Sequence, residues 1–176
     1  MPILITVAAI IVLFIVIVSM RPNDFRITRS TTINAPPVTV FAQVNDFHNW
    51  QPWSPWAKMD PACKNDFEGA PGEVGSQFLW SGNNKVGQGR MTLIETRASE
   101  LIRIKLEFMK PFKATHTAEF QFQGQGTQTT VTWSMFGKNN FMAKAVTLFM
   151  NCDKMIGSQF EQGLAAMKVL AETSTK

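Results

Sequence analysis

The chain of 176 residues has no tyrosine, only two cysteines and two histidines, and few charged residues, at 17%. Cys63 and Cys152 lie far apart, no Cys-x-x-Cys motif is present, and His48 and His116 are isolated. We therefore expect free thiols, no metal site and no cofactor. The net charge of +4 comes from scattered residues without a run of Lys or Arg, which argues against nucleic-acid binding.

The residues that are abundant are apolar. Hydrophobic residues make up 45% of the chain, and they include 14 phenylalanines, 10 methionines and five tryptophans. This composition is sufficient to bury a core, and the length predicts one domain with at most an appendage.

Residues 3–20 form an apolar run in which Thr6 and Ser19 are the polar side chains. Eighteen such residues reach the length that a helix needs to cross the hydrocarbon core of a bilayer. A signal peptide would have a basic start and a small-x-small cleavage site, and the run has neither. The sequence therefore predicts an uncleaved membrane helix.

This helix divides the chain into a transmembrane anchor, residues 1–21, and a folded domain, residues 22–176. Arg21, Arg26 and Arg29 follow the apolar run, and cations flanking a membrane helix favour the cytoplasmic side. We expect a single-pass membrane protein with its domain in the cytoplasm.

Three of the five tryptophans, Trp50, Trp53 and Trp56, lie close together in the segment Asp46–Asp60 with two prolines between them. Prolines at this density exclude a long helix and a central strand. Because large aromatic side chains are usually buried, the segment must lie against apolar surface. It is either a plug that closes one end of the core or an aromatic wall of a ligand cavity.

Strands are predicted over Phe25–Ile33, over a short piece near Lys64–Glu68, and repeatedly from Ser76 to Phe136. Phe112–Gln123 alternates strictly between apolar and polar residues, and Thr127–Phe136 returns after a glycine turn. Such alternation is typical of antiparallel strands with one dry face and one wet face.

A long C-terminal helix is predicted over Phe141–Thr173, where apolar residues recur at steps of three and four. Gly157 and Gly163 weaken this helix, and Asn151–Asp153 could divide it into two pieces. It is the element long enough to cover the dry face of the sheet.

Four motifs carry a family resemblance: Ile33–Phe41, Phe47–Trp56, Val86–Met91 and Phe160–Leu164. They resemble the START-like, helix-grip domains of the SRPBCC superfamily, in its polyketide cyclase/dehydrase and lipid-transport branch. The resemblance covers about Phe25 to Glu172. It implies an α+β fold in which a curved antiparallel sheet of six to seven strands wraps around the C-terminal helix. It also implies a deep apolar cavity that binds lipids, polyketides or similar molecules; some members are enzymes.

Candidate ligand-binding residues are those that the strand and helix patterns direct inward, together with two tryptophans at the expected mouth. They are Trp53, Trp56, Trp80, Leu106, Phe108, His116, Trp133, Phe141, Ala145 and Phe149.

Three functions remain open. The first, which we favour, is a membrane-anchored protein that binds a small hydrophobic or amphipathic ligand. The second is an enzyme of the cyclase/dehydrase type with His116 as acid or base. The resemblance implies that cyclising members often carry Tyr and Arg in the cavity; this chain has no tyrosine and its strand arginines mostly point outward, which argues against a cyclase. The third is a membrane-tethered interaction module without a ligand. The sequence leaves the oligomeric state open.

Overall fold

The computed structural model describes residues 2–174, and in that range it contains five α-helices and seven strands. Met1, Thr175 and Lys176, which belong to the predicted anchor and domain, lie outside the described residues. The helices are α1 (Pro2–Ser19), α2 (Pro37–Asn45), α3 (Pro55–Met59), α4 (Phe141–Val146) and α5 (Cys152–Ser174). The strands are β1 (Asp24–Ile33), β2 (Lys64–Glu68), β3 (Gln77–Ser81), β4 (Gln88–Arg97), β5 (Leu101–Lys110), β6 (Ala114–Gln125) and β7 (Gln128–Lys138).

The seven strands form one antiparallel sheet in the order β1-β7-β6-β5-β4-β3-β2. Helix α5 lies against the sheet along β1 and also contacts α2 and α3. The core fills the space between the inner face of the sheet and these helices. The predicted α+β helix-grip fold is confirmed.

The alternation read in the sequence decides which face of the sheet is dry. Ala118, Phe120 and Phe122 of β6 and Val131 and Trp133 of β7 are all buried on the inner face. The outer face carries ion pairs and hydroxyl pairs instead. Among them are Arg103–Glu119, Arg90–Glu107, Thr28–Ser134 and Ser30–Thr132.

Two glycines let α5 approach the sheet closely. A Cβ atom at Gly163 would lie 2.9 Å from Cζ3 of Trp133, and one at Gly157 would overlap the guanidinium of Arg29. Arg29 also pairs with Glu161 at 2.6 Å and with Asp153 at 3.1 Å. The residues that weaken the helix in the sequence are therefore those that bring it onto the sheet.

The prediction of one helix over Phe141–Thr173 is wrong, and the division that the sequence left open near residues 151–153 is present. Two asparagines start the separate helices. The side chain of Asn140 accepts a hydrogen bond from Ala143 N at 2.8 Å, and that of Asn151 accepts one from Lys154 N at 2.9 Å. Each bond satisfies a free N–H at a helix start, so a new helix begins at each asparagine.

The first residues of one predicted strand are also corrected. The β5–β6 ladder ends at the pair Phe108–Ala114, so Phe112 has no partner strand and lies in the turn. Its side chain is 73% exposed, although the alternation placed it on the dry face.

Helix α1 is long and apolar enough to cross a membrane, and nearly all of it is exposed. Among residues 2–19, Val18 is the one that is buried. Because α1 contacts α4, the burial of Val18 locates that contact at the C-terminal end of α1.

The strand register brings several chain segments to one end of the sheet. Asp24 pairs with Lys138, which places the end of α1 next to the start of α4. Gln88 pairs with Lys110, and Lys64 pairs with Ser81. The β5–β6 turn, the β3–β4 turn and the loop from α3 to β2 therefore lie at the same end, here called the α1 end of the sheet.

Candidate functional site: an aromatic cavity

A cavity of about 310 Å³ lies between the inner face of the sheet and the segment that runs from α2 to α3. This volume is within the range of small-molecule sites, at its lower limit. The lining is predominantly aromatic and aliphatic. From the sheet it includes Phe78, Trp80, Met91, Leu106, Phe108, Ala118, Trp133 and Met135; from the opposite side, Phe47, Trp50, Ser54, Trp56, Ala57, Ile156 and Phe160.

Stacked rings hold the back wall of the cavity. Trp133 lies parallel to Phe160 of α5, with 4.1 Å between ring centroids, and it stacks on Phe120 at 4.8 Å. Trp56 meets both Trp133 and Phe160 edge to face. Aromatic pairs in these geometries are each stabilised by about 0.5–1.5 kcal/mol beyond burial alone. These contacts stabilise the arrangement of the wall.

The tryptophan segment packs into the core and also contributes to the wall of the cavity; its role in ligand binding stays a prediction. Trp50 donates its Nε1–H to Val44 O and Trp53 donates to Gln43 O, each at 2.9 Å, which ties the segment to the end of α2. Trp53 is fully buried in the core. Trp50 and Trp56 line the cavity.

Two polar atoms of the cavity lining have no partner within residues 2–174. They are Nε1 of Trp133, a hydrogen-bond donor, and Oδ1 of Asn65, an acceptor, and both are buried. A buried polar group left unpaired costs about 1–3 kcal/mol. By contrast, Trp80, which also lines the cavity, donates its Nε1–H to Val86 O at 3.2 Å. The residues of the lining thus include two buried hydrogen-bonding atoms that the described residues leave unpaired.

The titratable side chains in the lining lie at the mouth. They are Asp60, Cys63 and Lys85, from the α3–β2 loop and the β3–β4 turn. Burial raises the pKa of the Cys63 thiol, and the charge of Asp60 raises it further. The thiol is therefore protonated at neutral pH and is a weak nucleophile.

Five of the predicted ligand-binding residues line this cavity and five do not. Those in the lining are Trp56, Trp80, Leu106, Phe108 and Trp133. Those outside it are Trp53, His116, Phe141, Ala145 and Phe149. Ligand contact by any of the ten stays a prediction.

The residues outside the cavity have different reasons for lying there. Phe141, Ala145 and Phe149 belong to α4 and the turn after it, whereas the covering helix begins at Cys152. Phe141 and Phe149 are exposed, the latter by 81%. His116 is on the inner face, in register with the lining residue Leu106, but it packs between Phe25 and Phe108 and is not part of the lining.

His116 packs among rings rather than polar groups. Its ring lies 4.8 Å from that of Phe25 and 5.9 Å from that of Phe108. Its Nδ1 atom has no partner among the described residues, and burial lowers the pKa of the imidazole. The neutral ring is therefore favoured in the folded chain.

Several lining residues were absent from the sequence-based set. Phe78 shares a face with Trp80, and Phe160 belongs to the apolar stripe of the C-terminal helix, so periodicity already contained their signal. Asn65 lies in the short strand predicted near Lys64–Glu68 and Cys63 lies in the loop before it, and no pattern marks either as a lining residue.

The comparisons with known proteins agree with this architecture. The family model for polyketide cyclase/dehydrase and lipid transport matches residues 24–172. No curated protein matches the chain at a significant level.

Solved structures share the fold at low sequence identity. A Thermobifida fusca protein solved by NMR is 20% identical with a TM-score of 0.63, covering 83% of this chain and 92% of its own. A Staphylococcus aureus protein of unknown function is 14% identical with a TM-score of 0.63, covering 86% and 96%. The major latex-like protein 151 of Panax ginseng is 13% identical with a TM-score of 0.57, covering 85% and 99%. At these identities the likeness shows the fold alone; the family match extends over most of the chain, which belongs to the polyketide cyclase/dehydrase and lipid transport family.

Proposed function

We propose that the chain is a membrane-anchored protein that binds a small apolar or amphipathic ligand in the aromatic cavity. The observation that carries this proposal is the cavity itself, about 310 Å³ of space lined by rings and methionines. Interiors are normally packed without such voids, so a preserved apolar space favours a ligand site.

The unpaired polar atoms support a ligand with a hydrogen-bonding group on an apolar body. Trp133 Nε1 would donate to an oxygen of the ligand, and Asn65 Oδ1 would accept from a hydroxyl or amide. A purely hydrocarbon ligand would leave both atoms buried and unpaired. An alcohol, phenol or similar lipid-like or polyketide-like molecule fits better.

The membrane part of the proposal rests on α1. Its 18 residues rise about 27 Å, close to the thickness of the hydrocarbon core. We propose residues 1–21 as the anchor and residues 22–176 as the ligand-binding domain. The cations that follow α1 support a cytoplasmic position for that domain.

Binding is favoured over catalysis because the interior of the cavity lacks an acid or base among the described lining residues. The titratable groups lie at the mouth, and His116 is outside the lining. General acid–base catalysis would need such a group within hydrogen-bond reach of the ligand.

Native mass spectrometry of the full chain, released from detergent micelles, tests the proposal. We expect a bound small molecule, and we expect Ala118→Leu to lower its occupancy, because Ala118 lines the cavity and the larger side chain takes up part of its volume. Ala145→Leu, outside the lining, is the matched control and should retain the ligand. Equal ligand occupancy in a folded Ala118→Leu variant would refute the cavity as the site. A wild-type chain that carries no bound molecule and also binds no added 2-naphthol, used as a probe ligand, would favour the alternative of a membrane-tethered interaction module without a ligand.

A further inference from the structure

The α1 end of the sheet carries a cluster of exposed apolar side chains. On α4 and the turn after it, large hydrophobic residues face outward, and Phe112 from the β5–β6 turn lies at the same end. We call this set the α4 surface: Phe112, Phe141, Met142, Val146, Phe149 and Met150. The two most exposed phenylalanines, Phe149 at 81% and Phe112 at 73%, are ring systems that soluble proteins normally bury.

The position of α1 determines what can cover this surface. All 18 residues of α1 are needed to span a hydrocarbon core about 30 Å thick, so Val18 lies near its boundary. Val18 is fully buried and marks the end of α1 that contacts α4. Any bilayer that contains α1 therefore has α4 at the depth of its headgroups.

The charges around the α4 surface match that location. Lys110, Lys113 and Lys138 are exposed at this end and form no ion pair with another described residue. Of the acidic side chains nearby, Asp60 accepts from Asn83 N and Asp153 pairs with Arg29, so Asp24, opposite Lys138 in the register, is the one beside the lysines without an ion pair to a described residue. Free cations beside exposed rings are typical of surfaces that bind anionic lipid headgroups.

The cavity mouth lies at the same end. Pro61 and Lys85, two exposed residues of the cavity lining, belong to the α3–β2 loop and the β3–β4 turn. Ile156, in the first turns of α5, lines the cavity six residues after Met150 of the α4 surface. The segment that bears the exposed rings thus leads directly to one side of the cavity.

We propose that the α4 surface is embedded in the anionic headgroup region of the bilayer that α1 crosses, and that the cavity exchanges its ligand with that bilayer. The inference rests on the proposed anchor. It adds a second membrane contact that fixes the orientation of the domain, with the mouth facing lipid. A ligand drawn from the lipid phase then enters the cavity without crossing bulk water.

Depth-dependent quenching in nanodiscs tests this arrangement. The full chain, with Cys63→Ser and Cys152→Ser, receives one cysteine that carries an environment-sensitive nitrobenzoxadiazole label. The discs contain phosphatidylcholine and phosphatidylglycerol, with or without a spin-labelled quencher lipid. The label is placed by Phe149→Cys on the α4 surface, by Ile10→Cys within α1, or by Val169→Cys, an exposed apolar position near the opposite end of the sheet.

We expect blue-shifted, lipid-quenched emission at positions 149 and 10, and water-like, unquenched emission at position 169. Quenching at position 10 without quenching at 149 would overturn the inference and leave the anchor intact. A blue shift at 149 without quenching would also overturn it, because a protein surface rather than lipid would then cover the site. An unquenched label at position 10 would refute the anchor and, with it, this inference. Ligand binding by the cavity would still be tested separately, by mass spectrometry of the chain released from micelles.

Discussion

The carboxylate of Asp60 accepts a hydrogen bond from the backbone N–H of Asn83 at a distance of 2.7 Å. This bond joins the α3–β2 loop to the β3–β4 turn, and both segments contribute to the cavity mouth. The side-chain amide of Asn83 also donates a hydrogen bond to the backbone carbonyl of Met59, at 3.5 Å. These two polar contacts therefore connect the two segments of the mouth.

Asp60→Ala should speed ligand release more than it lowers stability. The bond lies at the periphery, so its loss should cost about 1 kcal/mol of folding free energy. Release, by contrast, requires the two mouth segments to separate, and the bond opposes that motion. Stopped-flow release of 2-naphthol from the full chain in nanodiscs measures the effect. Asp66→Ala, an exposed carboxylate on β2, is the control, and equal release rates in the two variants would exclude the proposed role of Asp60.

Trp133→Phe should reduce discrimination between ligands that differ by one hydroxyl group. The wild type should bind 2-naphthol more tightly than naphthalene, because the unpaired Nε1–H of Trp133 can donate to the hydroxyl oxygen. Removing that donor should narrow the difference by about 0.5–1.5 kcal/mol, the net value of a neutral hydrogen bond. Titration calorimetry with empty nanodiscs subtracted provides the affinities.

Trp80→Phe is the matched control for this comparison, since its Nε1–H is already donated to Val86 O. The preference for naphthol should survive in that variant. A preference that is unchanged in Trp133→Phe would show that this donor does not contact the ligand.

Gly163→Ala should destabilise the chain although alanine is the better helix former. Propensity alone would favour alanine by about 1 kcal/mol. The added Cβ, however, would lie 2.9 Å from Trp133 and 3.3 Å from Pro55, and both are held by packing. We expect a net loss of about 1–3 kcal/mol, as is usual for overpacked cores.

Ala165→Gly, at an exposed position on the same helix, calibrates the propensity contribution in the same chain. Chemical denaturation of both variants in detergent measures the free energies of unfolding. A stabilised Gly163→Ala variant would mean that α5 can move away from Trp133 at little cost.

Acidification should destabilise the chain in part through His116. Burial lowers the pKa of this imidazole in the folded state, so the unfolded state takes up its proton first. The contribution of His116 is fully present above the unfolded pKa of about 6.5, and it is lost as the pH falls through that value toward the folded pKa. The denaturation midpoint should therefore decrease less between pH 7.5 and pH 5.5 in His116→Gln than in the wild type. Equal decreases would contradict this account.

Strict alternation predicted the facing of β6 and β7, because a side chain must point to one face of a sheet or the other. The same pattern could not show where along a strand the covering helix ends. His116 and Trp133 are both in phase with the dry face, yet Trp133 stacks on Phe160 of α5 whereas His116 packs against Phe25 and Phe108. That difference depends on how α5 is placed across the strands, which is a tertiary property.

Helical periodicity failed in a similar way for Phe141, Ala145 and Phe149. Apolar residues continue to recur at steps of three and four through residues 147–151, although the helix itself is interrupted there. The signal for the interruption was present in Asn140 and Asn151, whose side chains cap new helices. Apolar periodicity also does not distinguish a stripe that faces the core from one that faces lipid, and the exposed rings of α4 illustrate this ambiguity.

The connection between α1 and β1 is only four residues long, Met20–Asn23, and spans at most about 14 Å. For a domain held by α1, so short a tether excludes shuttling between two separate membranes. A ligand bound as proposed would then be exchanged only within the membrane that holds α1, and a donor or acceptor would have to reach the domain by lateral diffusion. Confinement to the membrane surface would raise the frequency of encounters, so that even a weakly bound, rapidly exchanging ligand would suffice.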